Sequence, residues 1–227
     1  MMPPKSIYAY ISILALSLML MPMSADAQQQ KLVEKPDTLP FFRGIAVSAD
    51  LVGAGMMTLG DYGQYEGAVR VNLRNRYFPI VEIGYGKTDH TNEITNMRYK
   101  TSAPYGRIGI DFNLLKNKDD IYRLYAGVRY AYTSWKYDLE YPVLTDPVWG
   151  GKVEYGGKDI KCHYHWAEAV FGVDATIWGP IHLGWSVRYR QRISYDNGML
   201  GNSWYVPGYG KDGNSCFGGT FNVILEI

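Results

Sequence analysis

The chain has 227 residues and a formal net charge of +1, a length that suits one domain and a balance that offers nothing to nucleic acid or another polyanion. Its twenty Tyr, six Trp and 25 Gly suit a small membrane barrel. There aromatic rings gather at the lipid–water interface and glycines relieve crowding in the lumen.

Lys5 precedes an apolar run from Ile7 to Met21, and Ala25-Asp26-Ala27 follows in an A-x-A arrangement. This reads as a secretory signal over residues 1–27, cut after Ala27. The run falls short of the ~20 residues that a spanning helix needs, and no cysteine near the cut would carry a lipid anchor. Beyond it there is no second long apolar run, so membrane residence must come from strands. Residues 28–42 open with Gln28 to Pro40, polar and without period, and read as a periplasmic lead-in that serves as a tether or touches a partner.

From residue 43 to 227 the sequence alternates apolar and polar residues in eight stretches. They are Arg43 to Val52, Gln64 to Arg74, Pro79 to Lys87, Tyr105 to Leu114, Ile121 to Trp135, His163 to Thr176, Ile181 to Arg190 and Cys216 to Ile227. Each is near the ~9 to 11 residues of a tilted membrane strand, and no helical period competes outside the leader. The last stretch stays apolar on one parity through Phe217, Phe221, Val223, Leu225 and Ile227, as expected if it pairs with the first and closes a cylinder.

The connections alternate in length. Asn75 to Phe78, Leu115 to Asp120 and Ile177 to Pro180 are short, whereas Gly53 to Gly63, Thr88 to Pro104, Lys136 to Cys162 and Gln191 to Ser215 are long. That is the pattern of an all-β, eight-stranded, antiparallel up-and-down transmembrane β-barrel with tight periplasmic turns and long extracellular loops. Both ends of the mature chain then lie in the periplasm.

The apolar parity is nearly free of charge. The other carries Asp50, Glu66, Glu82, Asp111, Glu168, Asp174 and Glu226 with Arg70, Arg74, Arg107, Arg123, Arg129, Arg188 and Arg190. A barrel of eight strands has a lumen that side chains can fill, so these groups are expected to plug it as an ion-pair network. A soluble barrel of lipocalin type would invert the assignment, and the charge pattern alone does not separate the two. Trp135, Tyr132 and Tyr189 at the outer strand ends, with Trp178 and Phe78 at the turns, read as two aromatic girdles.

Few residues suggest chemistry. His163 and His165 share a face but lack a third metal ligand, and the rim serines Ser102, Ser134, Ser194 and Ser203 have no triad spacing with a histidine. Neither a catalytic site nor a cofactor is expected. Cys162 and Cys216 can pair in an oxidising compartment, although the strand between them sets their backbones ~9.5 Å apart, so a bond needs movement at the rim. Trp149, Trp204, Tyr205 and Tyr209 sit in the two longest loops, and read either as a surface recognition patch or as a cap packed over the mouth.

R-Y-F-P-I-V-E-I-G-Y-G-K-T-D (Arg76 to Asp89), Y-K-T-S-A-P-Y (Tyr99 to Tyr105), L-T-D-P-V-W-G-G (Leu144 to Gly151) and W-Y-V-P-G-Y-G (Trp204 to Gly210) resemble a domain-of-unknown-function family of small Gram-negative outer-membrane β-barrel proteins. The resemblance implies an outer-membrane barrel with no assigned catalytic residues. Lipid and lipopolysaccharide are the expected surroundings, with a structural or interaction role through the external loops. The alternatives are an accessory subunit of a larger complex such as the barrel-assembly machinery, a lipid-modifying enzyme and a narrow channel.

Overall fold

The computed structural model describes residues 40–118, 120–145, 150, 152–153, 156–201 and 203–227. The expected leader, most of the lead-in and Trp149 lie outside them. Eight strands form the wall: β1 (Phe42–Asp50), β2 (Tyr62–Leu73), β3 (Tyr77–Thr91), β4 (Arg98–Asn113), β5 (Tyr122–Glu140), β6 (Gly156–Trp178), β7 (Ile181–Asp196) and β8 (Ser215–Glu226). Each pairs antiparallel with its sequence neighbours, and β8 returns to β1 with Ala46 opposite Glu226 and Asp50 opposite Asn222. Ile45 and Ile227 exchange backbone hydrogen bonds of 2.9 and 2.8 Å, which fastens the apolar chain end into the wall.

The turns between β2 and β3, β4 and β5, and β6 and β7 are short, and the other end carries the longer excursions. The strands, however, run further than the alternation suggested. β3 and β4 extend to Thr91 and from Arg98, so the expected loop from Thr88 to Pro104 shrinks to residues 92–97. Likewise β5 continues to Glu140 and β6 starts at Gly156.

The physical reason is an inversion of pattern within single strands. In the lower barrel, Val128 and Ile108 point out and Arg129 and Arg107 point in. Above that level Lys87, Lys100 and Lys136 point out while Ala103, Trp135, Tyr137 and Leu139 are buried within. A period of two persists, but its apolar phase moves from the outer face to the inner one. Trp135, expected in the outer girdle, therefore lies inside at 3% exposure, and Phe78, expected at the turn-side girdle, is also internal. Tyr132, Tyr189 and Trp178 do face outward.

One connection is a helix where the sequence suggested a loop. α1 (Leu51–Leu59) follows β1 directly, because the Asp50 carboxylate accepts from the amides of Val52 at 3.1 Å and Gly53 at 3.0 Å. That satisfies two of the orphan donors at a helix start. The same carboxylate accepts from Phe221 N at 3.2 Å and ties β8 to the end of β1. Asp50 is thus a cap and a strand clamp, not an ion-pair partner. Asp50→Ala is expected to lower stability by about 1 kcal/mol, and Asp50→Ser to recover most of it, in thermal unfolding of the detergent-solubilised barrel.

Candidate functional site

The lower lumen holds six arginines and six carboxylates. Arg107 contacts Glu66, Glu82 at 3.2 Å and Glu168 at 2.9 Å; Arg188 contacts Glu66 at 3.0 Å and Glu82 at 2.9 Å. Arg129 joins Glu82 at 3.0 Å to Asp111 at 2.6 Å, and Arg70 joins Asp174 at 2.6 Å to Asp111 at 3.8 Å. At the turn end Arg123 reaches Glu226 at 3.2 Å and lies 4.4 Å over the Phe78 ring; at the other end Arg190 reaches Glu168 at 3.4 Å. Strand alternation sends these long side chains inward from both sides of a narrow cylinder. Since five of these carboxylates lie between two or more arginines, removing one arginine leaves charge that the rest cannot neutralise fully.

Arg74 is not part of this network. With Asn75 it adopts left-handed φ angles of 55° and 52° in the β2–β3 turn, beyond the last strand pair of Leu73 and Tyr77. It is exposed there, with its guanidinium 5.8 Å from the Phe41 ring. Strand parity continued past Leu73 would point Arg74 into the lumen, whereas the tight turn carries it out.

The upper lumen is aromatic. Tyr99, Tyr105, Trp135, Tyr137, Tyr164 and Trp166 pack there around a hairpin in which Tyr205–Val206 pairs with Gly210–Lys211. Gly208, at φ +81°, forms its tip against the Tyr105 ring, a backbone that L side chains rarely adopt. The barrel floor holds this tip: Arg107 Nη2 donates to the Gly208 carbonyl at 2.7 Å and Arg190 Nη1 to the Tyr209 carbonyl at 2.7 Å. From the side, Tyr99 donates to the Tyr205 carbonyl at 2.9 Å and the Tyr205 hydroxyl to the Gly63 carbonyl at 3.3 Å. Burial pushes the Tyr205 phenol up to about 12, so it remains a donor under ordinary conditions.

Of the four loop aromatics, then, Tyr205 and Tyr209 are buried as parts of a plug and do not form a surface patch. Trp204 is half-buried and stacks on His90 at 4.2 Å between ring centroids. The two cysteines are unbonded. The register explains why: Cys216 faces Arg190 across β8 and β7, and Arg190 faces Glu168 on β6, six residues along from Cys162. That offset amounts to ~20 Å of strand, which no rim movement closes. Cys216 lies at the start of β8, but β6 begins at Gly156, well before Cys162.

A model of the family described as a domain of unknown function (DUF6048) matches residues 7–226. The chain belongs to this family. No curated protein matches it. Among solved structures, Neisserial surface protein A is 10% identical with a TM-score of 0.41, over 82% of this chain and 99% of that one. CarO2 of Acinetobacter baumannii gives the same values. Ail, the attachment invasion locus protein of Yersinia pestis, solved with the heparin analogue sucrose octasulfate, is 9% identical with a TM-score of 0.37, over 81% and 93%.

On this DUF6048 chain's outer surface, Val81, Ile83, Ile108, Val128, Phe171, Trp185 and Val187 form an exposed apolar belt. Above it the projecting strands carry charge, including the Arg98–Asp89 pair at 2.7 Å and Lys136–Asp159 at 3.1 Å. His163 and His165 lie on this outer face with centroids 6.0 Å apart; His165 Nδ1 is 2.7 Å from the Tyr130 hydroxyl. Among the described residues no group of three or more His, Cys, Asp or Glu is placed to hold a metal ion.

The plug lends itself to a direct test. Gly208→Val puts a branched side chain at a left-handed position against Tyr105, at a cost of about 1–3 kcal/mol. The hairpin should lose its seat, and Arg107 and Arg190 the two carbonyls they hold, while their carboxylate pairs remain. Hydrogen exchange at residues 205–211 is expected to accelerate, with the wall strands unchanged.

Proposed function

We propose that the chain is exported by its leader to the outer membrane and inserted there as a closed barrel that works through its external rim. The supporting observation is the double inversion of the wall. An apolar belt with ionic residues behind it gives way, on the same strands, to a charged exterior with an aromatic core behind it. The lower part suits hydrocarbon outside and paired charge within; the upper part suits water outside and a packed interior.

A lumen filled by ion pairs and stoppered by a hairpin leaves no path for solute, so the working surface is the rim of β3 to β6 rather than a pore. Lipopolysaccharide surrounds that rim in such a membrane, and a larger outer-membrane complex is the class of partner it would serve. In planar bilayers the reconstituted barrel should pass no steady current, and an ohmic conductance would overturn the closed-barrel reading. For the interaction role, the barrel should run above its monomer size after mild detergent extraction of native membranes and native electrophoresis. Migration as a free monomer alone would remove the rim's part in the proposal.

A further inference from the structure

The barrel wall has a seam. β1 stops at Asp50, where it has paired with β8 up to Asn222 and with β2 up to Gly67. Both neighbours continue: β2 starts at Tyr62 and β8 at Ser215. Over that height the strand missing between them is replaced by α1. The helix sits tightly on β2, where Gly53 lies against the Gln64 backbone, but less closely on β8. Between α1, β8 and the plug a cavity of about 300 Å³ remains.

Its chemistry is asymmetric. Val52 and Met56 of α1 and Phe217 of β8 line the outer part, Arg190 and Gln64 the inner, and the exposed Lys211 of the plug stands at the edge. The Arg190 guanidinium lies just behind Gly218, where a Cβ would come within 2.9 Å of Nη2. The missing inward side chain at Gly218 leaves room for the guanidinium against the inner side of β8. Gly219, on the outward parity, has nothing nearer its missing Cβ than the Ser186 carbonyl at 3.7 Å. The one carboxylate among the lining residues, Asp50, is engaged by three backbone amides. Arg190 is answered by Glu168 at 3.4 Å and the Tyr209 carbonyl at 2.7 Å, and the Lys211 ammonium lies 5.8 Å over the Trp204 ring; among the lining residues no free carboxylate faces either cation. Outside, an apolar groove along Phe171, Val173, Trp185 and Val187 shares Val52, Met56 and Gly219 with the cavity.

We propose that this seam is a lateral binding site for a single-chain anionic lipid. The acidic head enters between α1 and β8 to meet Arg190 and Lys211, and the chain lies in the outer groove against the bilayer. The inference rests on the reading that the belt faces lipid. A soluble anion would need no apolar groove, and an uncharged lipid would have no use for the two cations.

The test is oleate binding to the purified full-length mature barrel in phosphatidylcholine nanodiscs, read by native mass spectrometry and by quenching of tryptophan with a dibrominated fatty acid. One oleate per barrel is expected. Gly219→Phe should close the entrance and weaken binding by about tenfold or more, while Gly106→Phe, the same ring at an open outward position on β4, should leave it unchanged. Lys211→Gln, in the exposed part of the plug, should weaken it roughly three- to fivefold, as for a partly screened charge. Oleyl alcohol should bind at least about tenfold more weakly than oleate, the worth of one charge-assisted hydrogen bond.

Equal binding of the acid and the alcohol, or by wild type and Gly219→Phe, would overturn the proposal. So would competition by inorganic phosphate on a par with oleate, which would mark an anion site with no role for the chain. A barrel that inserts in membranes yet fails these binding tests sinks the seam site alone. One that fails to insert sinks the membrane reading beneath it.

Discussion

Arg107→Ala is expected to cost the barrel about 3–5 kcal/mol, the largest loss from any single truncation in the lumen. Its side chain is fully buried and meets Glu66, Glu82 and Glu168 at once. It also donates to Gly208 at 2.7 Å and lies 4.6 Å over the Tyr105 ring, so the ionic storey and the plug share it. Without it the cations left to the three carboxylates are Arg129, Arg188 and Arg190, which already answer Asp111 and one another's partners, and the remaining donors, Tyr105 and Gln64 to Glu66 and Trp166 to Glu168, are neutral. Arg107→Lys should recover only part, because a point charge cannot serve acceptors on several sides as the planar guanidinium does. Glu66→Gln in the Arg107→Ala background should be less damaging than additivity predicts, since it removes one of the stranded charges. Thermal unfolding in detergent, followed by the mobility shift of folded barrels on gels, checks all three. Unchanged melting of Arg107→Ala would mean that the network does not hold the fold.

How far this arrangement could be read in advance differs by height along the barrel. Below the level of Tyr85 and Tyr132, lipid and lumen impose opposite demands on alternate residues, so the sequence shows strands, parity and closure with little ambiguity. That Arg70, Arg107, Arg129 and Glu168 share one phase follows from alternation, whereas their facing inward follows only once the other phase is given to lipid. Above it both the outside and the inside change solvent, and the pattern flips sign without the chain leaving the sheet. Lys136 and Trp135 then look like the start of a loop, although they continue β5. The plug was legible only as one of two readings, a cap over the mouth or a surface patch: what seats Tyr205 and Tyr209 inside is a carbonyl pair that accepts from Arg107 and Arg190, and backbone acceptors leave no trace in residue type. α1 was masked by Gly53, Gly55 and Gly60, which read as loop until Asp50 is seen to cap the segment. The separation of Cys162 and Cys216 depends on register, which alternation alone does not supply.

Val128→Arg puts the membrane assignment to its hardest test. Val128 is 57% exposed on the outward face of β5, midway between Tyr122 near the turns and Tyr132 at the upper edge of the belt. If that face met water, an arginine there would touch nothing and change stability by no more than ~0.5 kcal/mol. In a bilayer midplane the same substitution costs about 2–4 kcal/mol, because the guanidinium must be dehydrated or must drag water and head groups toward it. The inner neighbour Arg129, at Glu82 and Asp111, is a control for charge itself, since arginine is tolerated one residue away on the opposite face. Lys136→Ala, on the same strand above the belt, should be neutral within ~0.5 kcal/mol. Refolding into short-chain phosphatidylcholine vesicles, with denaturant titration of each variant, separates the cases. A Val128→Arg barrel that inserts and unfolds like wild type would place the belt in water and turn the molecule into a soluble barrel with charge at its axis. A loss of 2 kcal/mol or more, confined to Val128→Arg and absent from Lys136→Ala, fixes the height at which hydrocarbon gives way to the rim.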